Sequence, residues 1–311
     1  MRRDYLVHGA LLAALLVAHF LLPAYHHGVM ARVMVLACFA IGYNVLFGYT
    51  GLLSLGHALF FAAGMYGAGM PMHLWGTGPG AAFAMGVLAA TLVALVVGAL
   101  ALRTAGVAFM IVTLMFAQAG YLALLLASRW TGGDQGIVIA QAQRQLWSID
   151  LSAEGPRYLA ALVLFGVCLI ASLALMRSRR GRVLIAIREN EERARLLGYD
   201  TFAMKLMAVT LSGTFAGVAG AGYGILFGYV GASFATVQYS IYPLLWVLLG
   251  GAGTILGPFL GTLFMYYLVD TASDLTSAYL LVVGVVLILL TLFAPGGIGG
   301  ELRRRLWRAM P

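Results

Sequence analysis

The chain has 311 residues, 62% of them hydrophobic and 10% charged, with a mean hydropathy of +0.95 and a formal net charge of +8. Soluble domains carry about 45–50% apolar and about 25% charged residues, so this composition cannot cover a water-facing surface and excludes an ordinary soluble fold. At about 20 apolar residues per crossing, ten crossings would take roughly two thirds of the chain and leave no room for a separate enzymatic domain.

Apolar segments fall at about 6–25, 29–47, 51–70, 80–102, 106–128, 158–176, 206–229, 236–250, 255–270 and 277–294. The expected fold is an all-α membrane protein, a polytopic helix bundle of about ten transmembrane segments in one domain spanning residues 1–311. The first segment follows Met1, Arg2 and Arg3 as a signal peptide would, but it exceeds a usual h-region and no Ala-x-Ala site follows, so it reads as a retained span. Segments 51–70 and 255–270 are short and broken by glycine, which points to re-entrant or discontinuous helices. They open alike, with Gly51, Ser54, Gly56 and His57 in one and Gly253, Thr254, Gly257 and Pro258 in the other. Corresponding interrupted segments suggest an internal pseudo-repeat around a transport path.

The charges supply an orientation. With the amino terminus inside, alternation places fifteen of the nineteen basic residues on the inner side and leaves only Arg32, Arg129, Arg144 and Arg157 outside. That asymmetry satisfies the positive-inside rule and puts both termini in the cytoplasm. The longest inner loop is then 177–204 and the longest outer loop 129–157. Because the basic residues sit in short loops between apolar spans, the positive charge reflects topology and not a nucleic-acid surface. Cys38 and Cys168 lie in apolar runs and read as small hydrophobes, with no disulfide framework and no metal cluster.

Small residues three or four apart mark close helix contacts in lipid. Gly213, Gly217, Gly220 and Gly224 run down the seventh segment, and Gly253, Gly257 and Gly261 down the ninth. They read as packing faces, with a sliding or subunit seam as the functional alternative. Ionisable residues within the spans are nearly absent: His19 and His57, with Lys205 and Asp270 at span ends. A proton- or sodium-coupled carrier places carboxylates in its core, so an ion-coupled secondary transporter is disfavoured. The neutral groups Asn44, Ser54, Thr113, Gln118 and Ser240, together with His57, are candidates to line a translocation path or to bond helix to helix.

The inner loop has helical spacing, with opposite charges four apart at Arg188 and Glu192, Glu189 and Arg193, and Glu191 and Arg195. Gly198 sits where a left-handed C-cap belongs, and Asp200 is placed to cap the next helix. Leu184, Ile187 and Leu197 form an apolar stripe that suits a partner surface.

This loop resembles the cytoplasmic coupling motif of ABC importer permeases through Ala186, Glu189 and Gly198. The wording Ala186-Ile187-Arg188-Glu189-Asn190-Glu191 is similar to that of the branched-chain amino acid ABC permease family. So are Gly48-Tyr49-Thr50-Gly51-Leu52-Leu53-Ser54-Leu55-Gly56-His57-Ala58, Thr131-Gly132-Gly133-Asp134-Gln135-Gly136-Ile137, Leu249-Gly250-Gly251-Ala252-Gly253-Thr254 with Gly257-Pro258, and the closing Ala294-Pro295-Gly296-Gly297. Gln135 departs from the small residue that many relatives carry there.

The resemblance implies a single permease domain in the bacterial inner membrane that imports branched-chain or related hydrophobic amino acids by alternating access. It implies a homologous second permease subunit, two ABC ATPase subunits and a periplasmic substrate-binding protein as partners. ATPase coupling would fall on Ala186, Arg188, Glu189, Asn190, Glu191 and Gly198. No cofactor is expected in this chain: a phosphate-binding loop needs Gly-Lys-Ser/Thr, and the only lysine, Lys205, stands between Met204 and Leu206, so ATP and Mg would belong to the partner ATPases. A permease for urea or short amides is the near alternative. An intramembrane enzyme is disfavoured, because no Ser-Lys, paired-aspartate or His-Glu-x-x-His arrangement occurs.

The charge count predicts that reporter fusions at residues 78 and 233 and within 131–155 report the outer side, while fusions at 190 and 305 report the inner side. An inner-side signal at 233 would overturn the assigned seventh span.

Overall fold

The computed structural model describes residues 2–294 and 296–301; Met1, Pro295 of the closing motif and the arginines at 303–305 and 308 lie outside them. Helix α1 (Arg2–Leu21) stops before Pro23, and α2 (Ala24–Asn44) starts directly after it. The end of α2 loosens into a π-helical turn, Val45–Tyr49, and residues 51–56 are unwound before α3 (His57–Trp75). Helix α4 (Pro79–Ala101) has proline in its first turn, where the missing N–H costs nothing. Then come α5 (Val107–Leu126) and the short α6 (Ser128–Thr131).

The 129–157 region folds into β1 (Ile137–Val138), a 3-10 turn at Gln141–Arg144, and a hairpin of β2 (Gln145–Leu146) with β3 (Ile149–Asp150). Helix α7 (Glu154–Arg177) leads to α8 (Arg179–Glu189) and α9 (Glu191–Leu196), and α10 (Thr201–Phe227) returns through the bundle. Strand β4 (Tyr229–Val230) pairs antiparallel with β1, Ile137 opposite Val230, which ties the 129–157 region to the end of α10. A 3-10 turn at Ala232–Ala235, α11 (Val237–Gly250), α12 (Gly257–Leu275) and α13 (Tyr279–Phe293) complete the elements.

Each apolar segment read from the sequence contains one of these helices. Among the described residues, five stretches are long and apolar enough to cross a membrane: Ala24–Tyr49, Pro79–Ala101, Val107–Leu126, Glu154–Arg177 and Thr201–Phe227. The chain unwinds at residues 51–56 and at 251–256, at the openings of the third and ninth segments, and α11 and α13, with 14 and 15 residues, reach only about 21–22 Å against a hydrocarbon core of about 30 Å.

The bundle is organised around α2. From Val33 to Asn44 every residue is buried, as suits a helix that is apolar on all sides. Helices α7, α10, α11 and α12 pack against it, with Gly42 lying on Phe215 and the Ser212 carbonyl of α10, and α3, α4 and α10 pack together through small residues. On α4 the row Ala82, Gly86, Ala90, Ala94 and Gly98 faces inward, while Leu88, Leu92 and Val96 face outward. Gly213 and Gly217 of α10 lie against Ala94 and Ala90, Gly220 against the Phe61 carbonyl of α3, and Gly224 against Met65 and Val230. Gly86 in turn rests on the Gly64 carbonyl. Gly257 and Gly261 seat α12 on the end of α11, at Gly250 and the Trp246 carbonyl. Gly253 leaves this row: it lies in the unwound 251–256 segment at φ +76°, not on a helix.

Helix α1 is largely exposed and is held by Tyr158, whose hydroxyl donates to the Leu15 carbonyl at 2.7 Å, and by His19 against His27 at 2.8 Å. Cys38 and Cys168 are both free and buried.

Leucine at 217 must displace Ala90 and the α4 backbone. We expect Gly217→Leu to destabilise the solubilised protein by about 1–3 kcal/mol, read as a lower midpoint of thermal unfolding, whereas Gly284→Leu, where nothing lies within 4 Å, leaves it unchanged.

Candidate functional site

The segment between α7 and α10 is built from local capping. Ser178 opens α8 by accepting from Gly181 N at 3.2 Å, and α8 buries Gly181, Leu184 and Ile187. At Asn190 the backbone becomes extended (φ −161°, ψ 104°), and its side chain accepts from Arg193 N at 2.8 Å to start α9. The helical spacing of the inner loop is therefore realised as two helices, because an asparagine side chain that caps a new helix competes with continuing the old one.

Two of the three expected ion pairs straddle this break, and neither Arg188 with Glu192 nor Glu189 with Arg193 is formed among the described residues. Glu191 does pair with Arg195, at 3.4 Å, and more closely with Lys205 on α10, at 2.7 Å. Burial pushes the Glu191 carboxyl up, and the hydrogen bond and charge of Lys205, with Thr201 and Arg195, outweigh it to leave the group below its ordinary value.

The far end follows the expected caps. Tyr199 N donates to Ala194 O at 3.2 Å and Gly198 N to Arg195 O at 3.0 Å around Gly198 at φ +87°, a conformation that any Cβ would strain. Asp200 then caps α10 through Ala203 N at 2.9 Å. The expected apolar stripe does not form one surface: Leu184 and Ile187 point into the bundle, and the exposed apolar group consists of Leu196, Leu197, Tyr199 and Phe202.

Arg188 joins α8 to the bundle by donating to the Gly48 carbonyl in the π-helical turn. Its stem lies against Gly51, where an added Cβ would stand 3.0 Å from Cγ, and its guanidinium lies against Gly253. One turn earlier, buried Asn44 closes the same junction from within, donating to Thr254 O at 2.8 Å and accepting from Gly253 N at 2.9 Å. The end of α2, the start of the 51–56 segment, the 251–256 segment and α8 thus meet at two side chains. Ala186 is half-buried beside them, and Glu189 is exposed.

The remaining path candidates cluster at the start of α3. Tyr43 OH donates to Ser54 O at 2.9 Å, Gly56 N to Ser54 Oγ at 3.1 Å, Leu55 N to Thr113 Oγ1 at 3.2 Å, and Ala58 N to Ser240 Oγ at 2.9 Å. These side chains therefore serve the backbone of an unwound segment. His57 is fully buried, its Nε2 2.6 Å from Ser212 Oγ. Ser212 already donates its one proton to the Gly42 carbonyl at 2.6 Å, so His57 Nε2 is the donor and Nδ1 is left as an acceptor with no partner among the described residues. Gln118 stands apart from this cluster, half-buried on α5.

The Lys205–Glu191 pair and the Asn44–Gly253 junction escape sequence reading, since their partners lie 14 and 209 residues apart. An isolated asparagine at the end of an apolar run was their only trace. Asn44→Ala removes the partner of a part-buried N–H at Gly253 and a part-buried C=O at Thr254, a combined loss of about 1–3 kcal/mol. A drop in the unfolding midpoint of the solubilised protein checks this, and Asn44→Asp, which cannot donate to Thr254, should restore only part of it.

A family model described as "Branched-chain amino acid transport system / permease component" matches residues 26–292. The chain is similar to the high-affinity branched-chain amino acid transport system permease protein LivM of Escherichia coli (strain K12), 29% identical over 287 residues, which covers 85% of this chain and 68% of that one. It is 28% identical to LivM of Salmonella typhimurium over the same length and shares. A probable branched-chain amino acid transport permease protein LivM of Methanocaldococcus jannaschii is 31% identical over 102 residues, 32% of this chain and 29% of that one. No solved structure gives a significant match.

Proposed function

The chain belongs to the branched-chain amino acid transport permease family and is a multi-pass membrane subunit of that class, and from this premise we propose that it carries branched-chain or related hydrophobic amino acids into the cytoplasm as one subunit of an ABC importer. Hydrolysis of ATP takes place on two partner ATPases, a homologous permease subunit completes the membrane part, and a periplasmic binding protein delivers the substrate. In this reading the subunit sits in the bacterial inner membrane with both termini in the cytoplasm.

The observation that carries the mechanism is Arg188. It lies on α8, the helix at the proposed coupling surface, and bonds the turn that leads into the 51–56 segment while its guanidinium touches Gly253. Closure of an ATPase dimer against α8, α9 and the exposed Leu196, Leu197, Tyr199 and Phe202 would move Arg188. The displacement would reach α3 through 51–56 and α12 through 251–256. Segments without helical hydrogen bonds are the natural hinges of such a change, and the small-residue contacts of α3, α4 and α10 let rigid helices shift together. The Glu191–Lys205 pair keeps α9 attached to α10, so force on one is felt by the other.

Glu189 is exposed and forms no ion pair among the described residues, so reversing its charge leaves the fold intact. We expect Glu189→Lys to reach the membrane at normal abundance, to lose the ATPase subunits on pull-down and to show no ATP-dependent uptake. Gly198→Val should be more damaging, because it disturbs the direction in which α10 leaves the cap. Normal uptake and ATPase co-purification in Glu189→Lys would overturn the coupling role. Uptake that stops with vanadate and survives a protonophore separates this reading from an ion-coupled carrier.

A further inference from the structure

Between α2, α11, α12 and α13 lies a cavity of about 360 Å³ that the coupling junction does not use, within the range of small-molecule sites. One wall is aromatic: Tyr242 and Trp246 stack at 6.0 Å with planes 12° apart, and Tyr239 meets Tyr242 edge-on at 5.6 Å. Leu36 and Met265 add apolar surface.

Two charges of opposite sign border this wall. Asp270 lines the cavity, accepts from Tyr25 OH at 2.5 Å and meets no cation among the described residues. It is not at the helix end, since α12 continues to Leu275. Arg32 lies one turn along α2 from the lining residue Leu36. It donates to the hydroxyl of Tyr266, a lining residue, at 3.5 Å, and its guanidinium lies 5.3 Å from the centre of the Phe227 ring. It too lacks an ion-pair partner among the described residues. Tyr266 and Asp270 are neighbours four apart on one face of α12, and Arg32 and Asp270 form no ion pair with each other.

We propose that this cavity binds a zwitterionic amino acid with an apolar side chain, its carboxylate on Arg32, its ammonium on Asp270 and its side chain against Tyr242 and Trp246. The proposal rests on the permease reading and deepens it by giving this chain a substrate site of its own. A zwitterion bridges two opposite charges that stand too far apart to pair directly. Urea or a short amide would leave both unmatched, and a lipid tail would bury a carboxylate against hydrocarbon.

The test uses the complete transporter in proteoliposomes, with uptake of radiolabelled leucine, and the solubilised permease–ATPase complex without the binding protein, with direct binding of the same label. Asp270→Asn keeps an acceptor for Tyr25, and with Arg32→Gln it should raise the half-saturation concentration at least about tenfold, equal to roughly 1.4 kcal/mol of binding. In the wild-type complex leucine should compete for the label while N-acetyl-leucine, which lacks the ammonium, and leucinamide, which lacks the carboxylate, should not. Discrimination against N-acetyl-leucine should shrink in Asp270→Asn, and against leucinamide in Arg32→Gln, shifts that a purely structural role would not produce.

A wild-type transporter that takes up no apolar amino acid refutes the permease reading and the site with it. Normal wild-type uptake with unchanged half-saturation and analogue ranking in both variants refutes the site alone. Should a charge variant fail to assemble, equal competition by the three compounds in the wild type overturns the proposal.

Discussion

Inside a bilayer no water is present to bond a free peptide group, and each unsatisfied N–H or C=O costs several kcal/mol. This bundle contains two unwound stretches, 51–56 and 251–256, and much of its architecture answers that constraint. Asn44 from α2 bonds Gly253 N and Thr254 O, Thr113 from α5 accepts from Leu55 N, Ser240 from α11 accepts from Ala58 N in the first turn of α3, and Tyr43 and Ser54 bond Ser54 O and Gly56 N. Polar residues that look like candidates to line a path therefore hold open the backbone that a path would need.

The same constraint explains why α2 is buried from Val33 to its end. A central helix with its own hydrogen bonds complete can afford to face neighbours on every side, and its one asparagine is placed where the ladder ends in a π-helical turn. On its α10 side, glycine and alanine bring α3, α4 and α10 close enough to one another for backbone to meet side chain directly. Dispersion and close approach replace the hydrophobic driving force that lipid does not supply.

At the α8–α9 end, charge and capping dominate because water is available again. Ser178, Asn190, Gly198 and Asp200 divide the segment into two helices with defined ends, and Glu191 fastens the second to Lys205. Arg188 crosses from this polar layer to the buried junction, donating to the Gly48 carbonyl beside the 51–56 segment.

Much of this was determined by the sequence itself. Apolar length and the sparsity of charge dictated helices and their approximate bounds, because each crossing must satisfy its own backbone, and Gly198 and Asp200 announced their caps through strictly local geometry. The four-residue glycine spacing on α10 marked a contact face for the same local reason. Only the tertiary structure decided what those features touch. It turned Leu184 and Ile187 inward, moved Gly253 off its helix, and set Asp270 in the wall of an aromatic cavity with Arg32 bonded to Tyr266 of the same wall. Those outcomes depend on side chains tens to hundreds of residues apart meeting across the bundle, and periodicity along one chain carries no record of which helix stands opposite.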